Sequence, residues 1–214
     1  MILILASNSP RRRQLLSLGG WDFLVSVADV DETPLENEPP ADYVLRLAED
    51  KARTTASRLD GNHVVLAADT TVVDGREMLG KPVDEADAVR MLTQLRGRTH
   101  QVYTGVALLR MSDSLLLTDL CVTDVPMRSY SDEEIRAYAA SGDPLDKAGA
   151  YAIQHAGFHP VAGMDGCFAS VMGLPLCHIT WMVRTMGIQP EANVPLACQK
   201  FLEYDCPVYK TILT

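Results

Sequence analysis

The stretch Ser7-Asn8-Ser9-Pro10-Arg11-Arg12-Arg13 places two serine hydroxyls and three guanidinium groups within seven residues, directly after the apolar run Ile2 to Ala6. In a chain of formal net charge -9, the cluster is either a solvated basic turn or a seat for a strongly anionic ligand. A strand, a polar loop and a helix start in that order aim unpaired N–H groups and the positive end of a helix dipole at one point. Ser7 and Ser9 can donate there, and an arginine of the first helical turn adds a bidentate fork that suits phosphate. The glycines and lysine of a P-loop are missing, which argues against a Walker-type NTPase.

Other residues could share this chemistry. Asp69 closes the apolar run HVVLAAD, and a carboxylate there is costly unless it is paired, holds a metal or caps a turn. Asp31 and Glu32, in DVDETP, could join it around Mg²⁺, which typically takes one or two carboxylates plus substrate phosphates. Lys51 lies close to the buried stripe of a helical pattern, and Lys81 sits between Gly80 and Pro82. Each lysine is either a phosphate ligand or a side chain that snorkels to solvent. His155 and His159 have the spacing of a helical metal pair, but Gly157 and Pro160 oppose a helix, so zinc is not expected. Cys177 and His178 lie in an apolar helical run and read as core.

The elements that must position these groups follow from periodicity and punctuation. MILILA predicts a strand buried on both faces, and Arg11 to Leu18 a helix with Ser9 as N-cap and Pro10 in its first turn. Trp21 to Val27 predicts a second strand, followed by the acidic loop ADVDETPLENEPP. Apolar residues at Val44, Leu47, Ala48, Ala52 and Ala56 predict an amphipathic helix over 41–59. HVVLAAD predicts a strand ending near Asp69 and leading into a hairpin at Asp74-Gly75. Asp84 to Leu95 reads as a helix, HQVYTGVALLRM and LLLTDLCVTDVPM as an antiparallel hairpin, and Ser131 with Glu134 as a capping box. The segments DPLDKAGAYAIQ and GFHPVAGMDGCFASVMGLP read as irregular, LPLCHITWMVRTMG as a buried helix, and Leu196 to Tyr204 as a last amphipathic run. Strands alternating with helices predict an α/β fold with antiparallel additions.

Composition bounds the function. With 214 residues, 47% of them hydrophobic and 22% charged, the chain has the makeup of a single globular domain. The 28 acidic against 19 basic residues argue against a broad nucleic-acid footprint. No stretch has the length of a membrane span or a signal peptide's order. Five cysteines without a CxxC pair argue against a disulfide framework and for a cytoplasmic setting.

Taken together, LILASNSPRRRQLL, AADTTVV, GKPVDEADAVRMLTQLRGRTHQVYTGVAL and GDPLDKAGAYAIQ resemble, in order, the signature segments of the Maf family of nucleoside triphosphate pyrophosphatases. The resemblance runs from Leu3 to about Met186, so residues 1–187 are expected to form a Maf-like domain and residues 188–214 an extension of unassigned role. It implies an α/β fold with an elongated mixed sheet, extended mainly by antiparallel strands and flanked by helices. Two lobes around a central cleft are implied, as in the related inosine triphosphate pyrophosphatases, and usually a homodimer. The implied reaction converts a nucleoside triphosphate to its monophosphate and pyrophosphate with a divalent cation (Mg²⁺, Mn²⁺ or Co²⁺). Matched motif by motif, Asp69 takes the proton-acceptor position, while Ser7, Arg12, Glu32, Lys51, Lys81, Asp146 and Lys147 fall in the substrate and metal pocket. Glu32 and Asp69 are the implied metal carboxylates, and whether Asp69 acts as base or ligand stays open.

Arg11, Thr70 and Gln154 stand at the three positions that separate the branches, and they resemble the branch acting on dTTP and UTP. The 7-methyl-GTP branch carries tryptophan or a similar residue, Gln and Glu there. Another modified nucleotide, or a low-turnover nucleotide-binding regulator of cell division, remains the alternative. HAGFHPVAGMDGC, after Gln154, departs from the family's usual glycine-rich continuation.

Overall fold

A computed structural model describes residues 2–27 and 29–213. Met1 at the head of the first predicted strand, Ala28 at the head of the acidic loop and Thr214 at the tail's end lie outside the described residues. β1 (Ile2–Leu5) feeds α1 (Pro10–Ser17), where the Arg12 N–H donates to the Ser9 side chain at 3.4 Å. The cap and the proline thus sit where the sequence puts them. β2 (Phe23–Val25) is shorter than the run Trp21 to Val27, because Trp21 turns its ring into the core.

α2 (Pro40–Ala56) buries Val44, Leu47, Ala48 and Ala52 as its periodicity demands. β3 (His63–Asp74) departs from expectation, since it runs through Asp69 for five more residues before turning into β4 (Glu77–Leu79). Thr70, Thr71, Val72 and Val73 are all β-branched and favour the pleated backbone. Val64 to Val73 all pair with β5 (Thr99–Arg110), which holds the strand straight past Asp69. β5 pairs along its full length with β6 (Leu115–Pro126).

The sheet order is β2-β1-β3-β5-β6, with β4 on β3. β1 is parallel to β2 and β3, and the other pairings are antiparallel. This is the mixed, antiparallel-extended α/β sheet that the sequence predicts. β1 covers β3 only as far as Leu66, and β4 covers it only from Val72. Residues 67–71 of β3 are therefore open along one edge.

Two cores lie on either side of that interval. One packs α1, α6 (Leu176–Thr185) and the β1–β3–β5 strands around Leu16, Leu66, Leu108 and Ile179, while Ile4, Val65 and Ala67 pack under α2 on the other face. The other gathers α3 (Glu85–Leu95) and α4 (Asp132–Ala140) around Val72, Leu92, Val102 and Tyr138. α4 starts with the capping box at Ser131 and Glu134. Two 3₁₀ turns (Asp143–Asp146 and Ala148–Ala150) and α5 (Phe168–Val171) replace part of the segments read as irregular. The tail forms α7 (Val194–Leu202) and α8 (Tyr209–Ile212). It buries Val194 and Cys198 in the first core, with Ile188, Leu202 and Val208 packed against it.

Candidate active site

The open interval of β3 borders a cavity of about 650 Å³, whose walls come from both lobes. Successive strand residues point to opposite faces. Asp69 therefore faces α2 together with Val65 and Ala67, and Thr70 faces the α5 side together with Leu66 and Ala68. α2 can come down onto Asp69 because its partner on β5 is Gly105. A Cβ on Gly105 would stand 2.6 Å from the Val44 carbonyl oxygen, so the helix backbone rests directly on the sheet.

That contact delivers Lys51. Its ammonium lies 2.6 Å from Asp69 Oδ1 and 2.6 Å from Glu32 Oε1, so two carboxylates converge on one cation. Tyr43, two turns earlier on the same helix, donates its hydroxyl to the Glu32 carbonyl at 2.9 Å. Burial raises the Asp69 carboxyl above the usual carboxylate range against the pull of Lys51 and Arg12. Burial also opposes ionisation of Glu32, but its hydrogen bond with Lys51 and the fields of Lys81 and Arg12 outweigh that and hold it low. Burial, with Asp69 and Glu32 nearby, pushes the Tyr43 phenol up to about 12.

Arg12 forms the other wall. Its Nε donates to the Gly173 carbonyl at 2.9 Å, Nη2 to Thr70 Oγ1 at 3.2 Å and Nη1 to Ser7 Oγ at 3.4 Å. Gly173, at φ +101°, occupies a backbone region that a side chain disfavours, and a Cβ there would crowd Arg12 Nε and Thr70 Oγ1 at 3.2 Å. Thr70 in turn bonds Thr104 Oγ1 at 3.0 Å. Burial pulls the Arg12 guanidinium below its ordinary value, partly offset by Asp69.

Arg11, Lys81, Asp146, Lys147 and Gln154 also line the cavity. Lys147 is buried and donates to Asp146 Oδ1 at 2.6 Å and Asp143 Oδ1 at 3.1 Å, while Arg11 Nη1 lies 4.0 Å from Asp146. Lys81 and Gln154 are exposed at the cavity surface. All eleven site residues read from the sequence therefore border one cavity.

Other candidates stay away from it. Asp31 is exposed and accepts from the Thr33 N–H at 2.9 Å. His155 accepts from the Phe158 N–H at 2.9 Å, and His159 has φ 44°, so the pair sits in a turn and not on a helix. Cys177 is buried as expected, but His178 is more than core: its Nδ1 lies 2.7 Å from Asp119 Oδ2. Sequence reasoning missed Tyr43, Thr104 and Gly173. Tyr43 was open to discovery, since it follows Lys51's side of α2 at an i, i+8 spacing.

A mixed α/β sheet whose open edge gathers a buried guanidinium, lysines and two carboxylates is the framework of an enzyme that handles a phosphorylated anion. The profile of the family described as Maf-like protein matches residues 2–186, and the chain belongs to this family. A relative from Myxococcus xanthus named dTTP/UTP pyrophosphatase is 51% identical over 195 residues, covering 91% of this chain and 94% of its own. One of the same name from Geobacter sulfurreducens is 49% identical over 185 residues, covering 86% and 96%. A solved nucleoside-triphosphatase (dITP/XTP pyrophosphatase) from Mycobacterium abscessus aligns at TM-score 0.42 and 16% identity, covering 87% of this chain and 98% of that one.

Proposed function

We propose that this protein hydrolyses dTTP and UTP to the nucleoside monophosphate and pyrophosphate, a house-cleaning reaction on the nucleotide pool. The observation that carries this reading is the convergence of Lys51, Glu32 and Asp69 at 2.6 Å contacts, in the same cavity as the buried Arg12. The dTTP/UTP pyrophosphatase names of the relatives supply the substrate.

In this mechanism Arg12, Lys81 and the helix start at Ser9 draw the triphosphate into the cavity, and Lys147 with Arg11 extends the positive rim. Asp69 orients a water in line with the α-phosphorus and takes its proton as the new O–P bond forms. The bond from the α-phosphorus to the bridging oxygen then breaks, and pyrophosphate leaves with its charge held by the cationic groups. The raised pKa of Asp69 suits a base that must hold a proton. Thr70 and Gln154 offer the hydrogen-bonding atoms that a pyrimidine edge needs.

A divalent cation fits this donor set. The carboxylates of Glu32 and Asp69 already converge on one positive centre, the Lys51 ammonium, and hard oxygen donors of this kind suit Mg²⁺ or Mn²⁺ alongside substrate phosphates. Those two residues would hold the ion, whose chemistry is to neutralise triphosphate oxygens.

The reading extends to a cytoplasmic homodimer. The exposed Leu24 and Val25 of the edge strand β2, with Val27 just after it, support self-association, and five free cysteines suit a reducing compartment. Among the described residues no helix is long and apolar enough to cross a membrane. The test is a nucleotide screen with Mg²⁺, Mn²⁺ and Co²⁺ in which both phosphate products are measured. Pyrophosphate from dTTP and UTP is expected, and orthophosphate as the sole product would overturn the reading.

A further inference from the structure

Thr104 and Ser170 are polar and fully buried, and neither borders the nucleotide cavity. Both belong to a ring of hydrogen bonds that does border it. Thr70 on β3 stands opposite Thr104 on β5, and their hydroxyl oxygens lie 3.0 Å apart. Thr104 Oγ1 reaches on to the Ser170 carbonyl at 2.8 Å. That carbonyl also accepts the Gly173 N–H at 2.9 Å, and the Gly173 carbonyl accepts Arg12 Nε at 2.9 Å. Arg12 Nη2 closes the ring on Thr70 Oγ1 at 3.2 Å. The hydroxyl of Ser170 itself is turned away, onto the Cys167 carbonyl at 2.8 Å.

The members of this ring permit one direction of donation. A carbonyl oxygen only accepts, a guanidinium only donates, and a threonine hydroxyl has one proton and two lone pairs. Thr104 spends its proton on the Ser170 carbonyl, so the 3.0 Å contact is donated by Thr70. Thr70 then has no proton left to offer, and Arg12 occupies one of its lone pairs. Should Arg12 swing onto a phosphate, the second lone pair is freed but the proton stays with Thr104. Because β3 and β5 are paired here, the sheet and not a loop sets that contact. Thr70 lines the cavity and is partly exposed, so what it presents there is an acceptor. Triphosphate oxygens are acceptors as well and are repelled by it, whereas an N–H fits. On the pairing edge of thymine or uracil the one N–H is at N3, between O2 and O4, while cytosine carries a bare lone pair at N3. The Gln154 amide has both a donor and an acceptor and can serve either base at C4.

We propose that Thr104 is a positioning residue for base selection: it takes the Thr70 proton and so fixes Thr70 as an acceptor for the N3–H of thymine or uracil. The inference rests on the dTTP and UTP reading above and names the atom by which cytosine is refused. Thr104 touches no nucleotide and acts through Thr70 alone.

The test compares dTMP with 5-methyl-dCMP, which share sugar, phosphate and 5-methyl group and differ at N3 and C4. Their Kd values are measured by calorimetry on the full-length wild type, Thr104→Val and Thr104→Ser, and kcat/KM is measured for dTTP and 5-methyl-dCTP. Wild type should favour the thymine nucleotide in both assays. In Thr104→Val the Thr70 proton is free to turn toward a cytosine N3, so the preference should narrow by about tenfold, the size of one net hydrogen bond. Thr104→Ser restores the acceptor and should keep the wild-type ratio. A merely structural role would weaken both nucleotides by one factor and leave the ratio alone. Neutron diffraction from perdeuterated wild type, which needs no variant to fold, should show the Thr70 deuteron aimed at Thr104 and the Thr104 deuteron at the Ser170 carbonyl. The inference is overturned if wild type binds neither monophosphate or shows no preference, if folded Thr104→Val keeps the wild-type ratio, or if the Thr70 deuteron points into the cavity. A wild type that prefers dTMP but releases no pyrophosphate from dTTP sinks the proposed reaction and supports the base selection.

Discussion

Gly105→Ala tests the geometry that brings α2 to β3 at Asp69. Gly105 has no positive φ, so alanine fits its backbone, and in open surroundings the change would stabilise the fold by about 0.4–1 kcal/mol. Here the new methyl would meet backbone: 2.6 Å to the Val44 oxygen, 2.7 Å to its carbonyl carbon and 2.9 Å to the Leu45 nitrogen. Ordinary van der Waals contact begins at 3.4 Å, so α2 must withdraw by about 0.8 Å. Overpacking of this kind costs about 1–3 kcal/mol, or a Tm fall of roughly 2–12 °C for a chain of this size. The same withdrawal carries Lys51 and Tyr43 away from Asp69 and Glu32, and a displacement near 1 Å in a reacting array can lower turnover by up to about 100-fold. The assay is pyrophosphate release from dTTP under saturating nucleotide, together with thermal unfolding. A variant as stable as wild type or more so, with kcat within twofold, would refute the close helix–sheet contact as the device that places Lys51.

Further outcomes follow from the same geometry. Asp69→Asn should retain dTTP binding by calorimetry while kcat falls about 10²- to 10⁴-fold. Because the folded-state pKa of Asp69 lies above its unfolded value, the folded chain keeps a proton that the unfolded chain has lost, and stability falls as pH rises through that window. The amide removes this loss, so the variant should have the higher Tm at pH 7 and the difference should close toward pH 3. Lys51→Met strands two carboxylates that now share one ammonium; about 3–5 kcal/mol of stability should disappear at pH 7 by urea denaturation. Deleting residues 188–214 uncovers the core beneath Val194 and Cys198. The loss should be at least about 3 kcal/mol, seen as a lowered urea midpoint or failure to accumulate soluble protein.

Local chemistry made much of this legible. The caps at Ser9 and Ser131 are short-range features, and each holds in the structure, while Asp84, read as the first helical residue, instead caps α3. The buried stripe of α2 and the β5–β6 hairpin follow from periodicity alone. Asp69 misled because a charge at the end of an apolar run resembles a strand terminus. Only the long ladder with β5 and the cation from α2 make it tolerable in mid-strand. Gly173 depends on a contact across 161 residues that no local pattern announces, whereas Tyr43 shares α2 with Lys51 and its spacing was there to be read. Family resemblance gathered the nucleotide-pocket residues, whereas chain geometry explains how they meet.

The bare segment of β3 has a design consequence. Its one side is locked into the β5 ladder, so the Asp69 carboxylate rides on a strand paired without a break from Val64 to Val73. Arg12 reaches the same cavity from the first turn of α1, and Gln154 from the turn that follows the second 3₁₀ turn. Such a division lets mutation remodel the turn that carries Gln154 while the strand that carries Asp69 keeps its alignment.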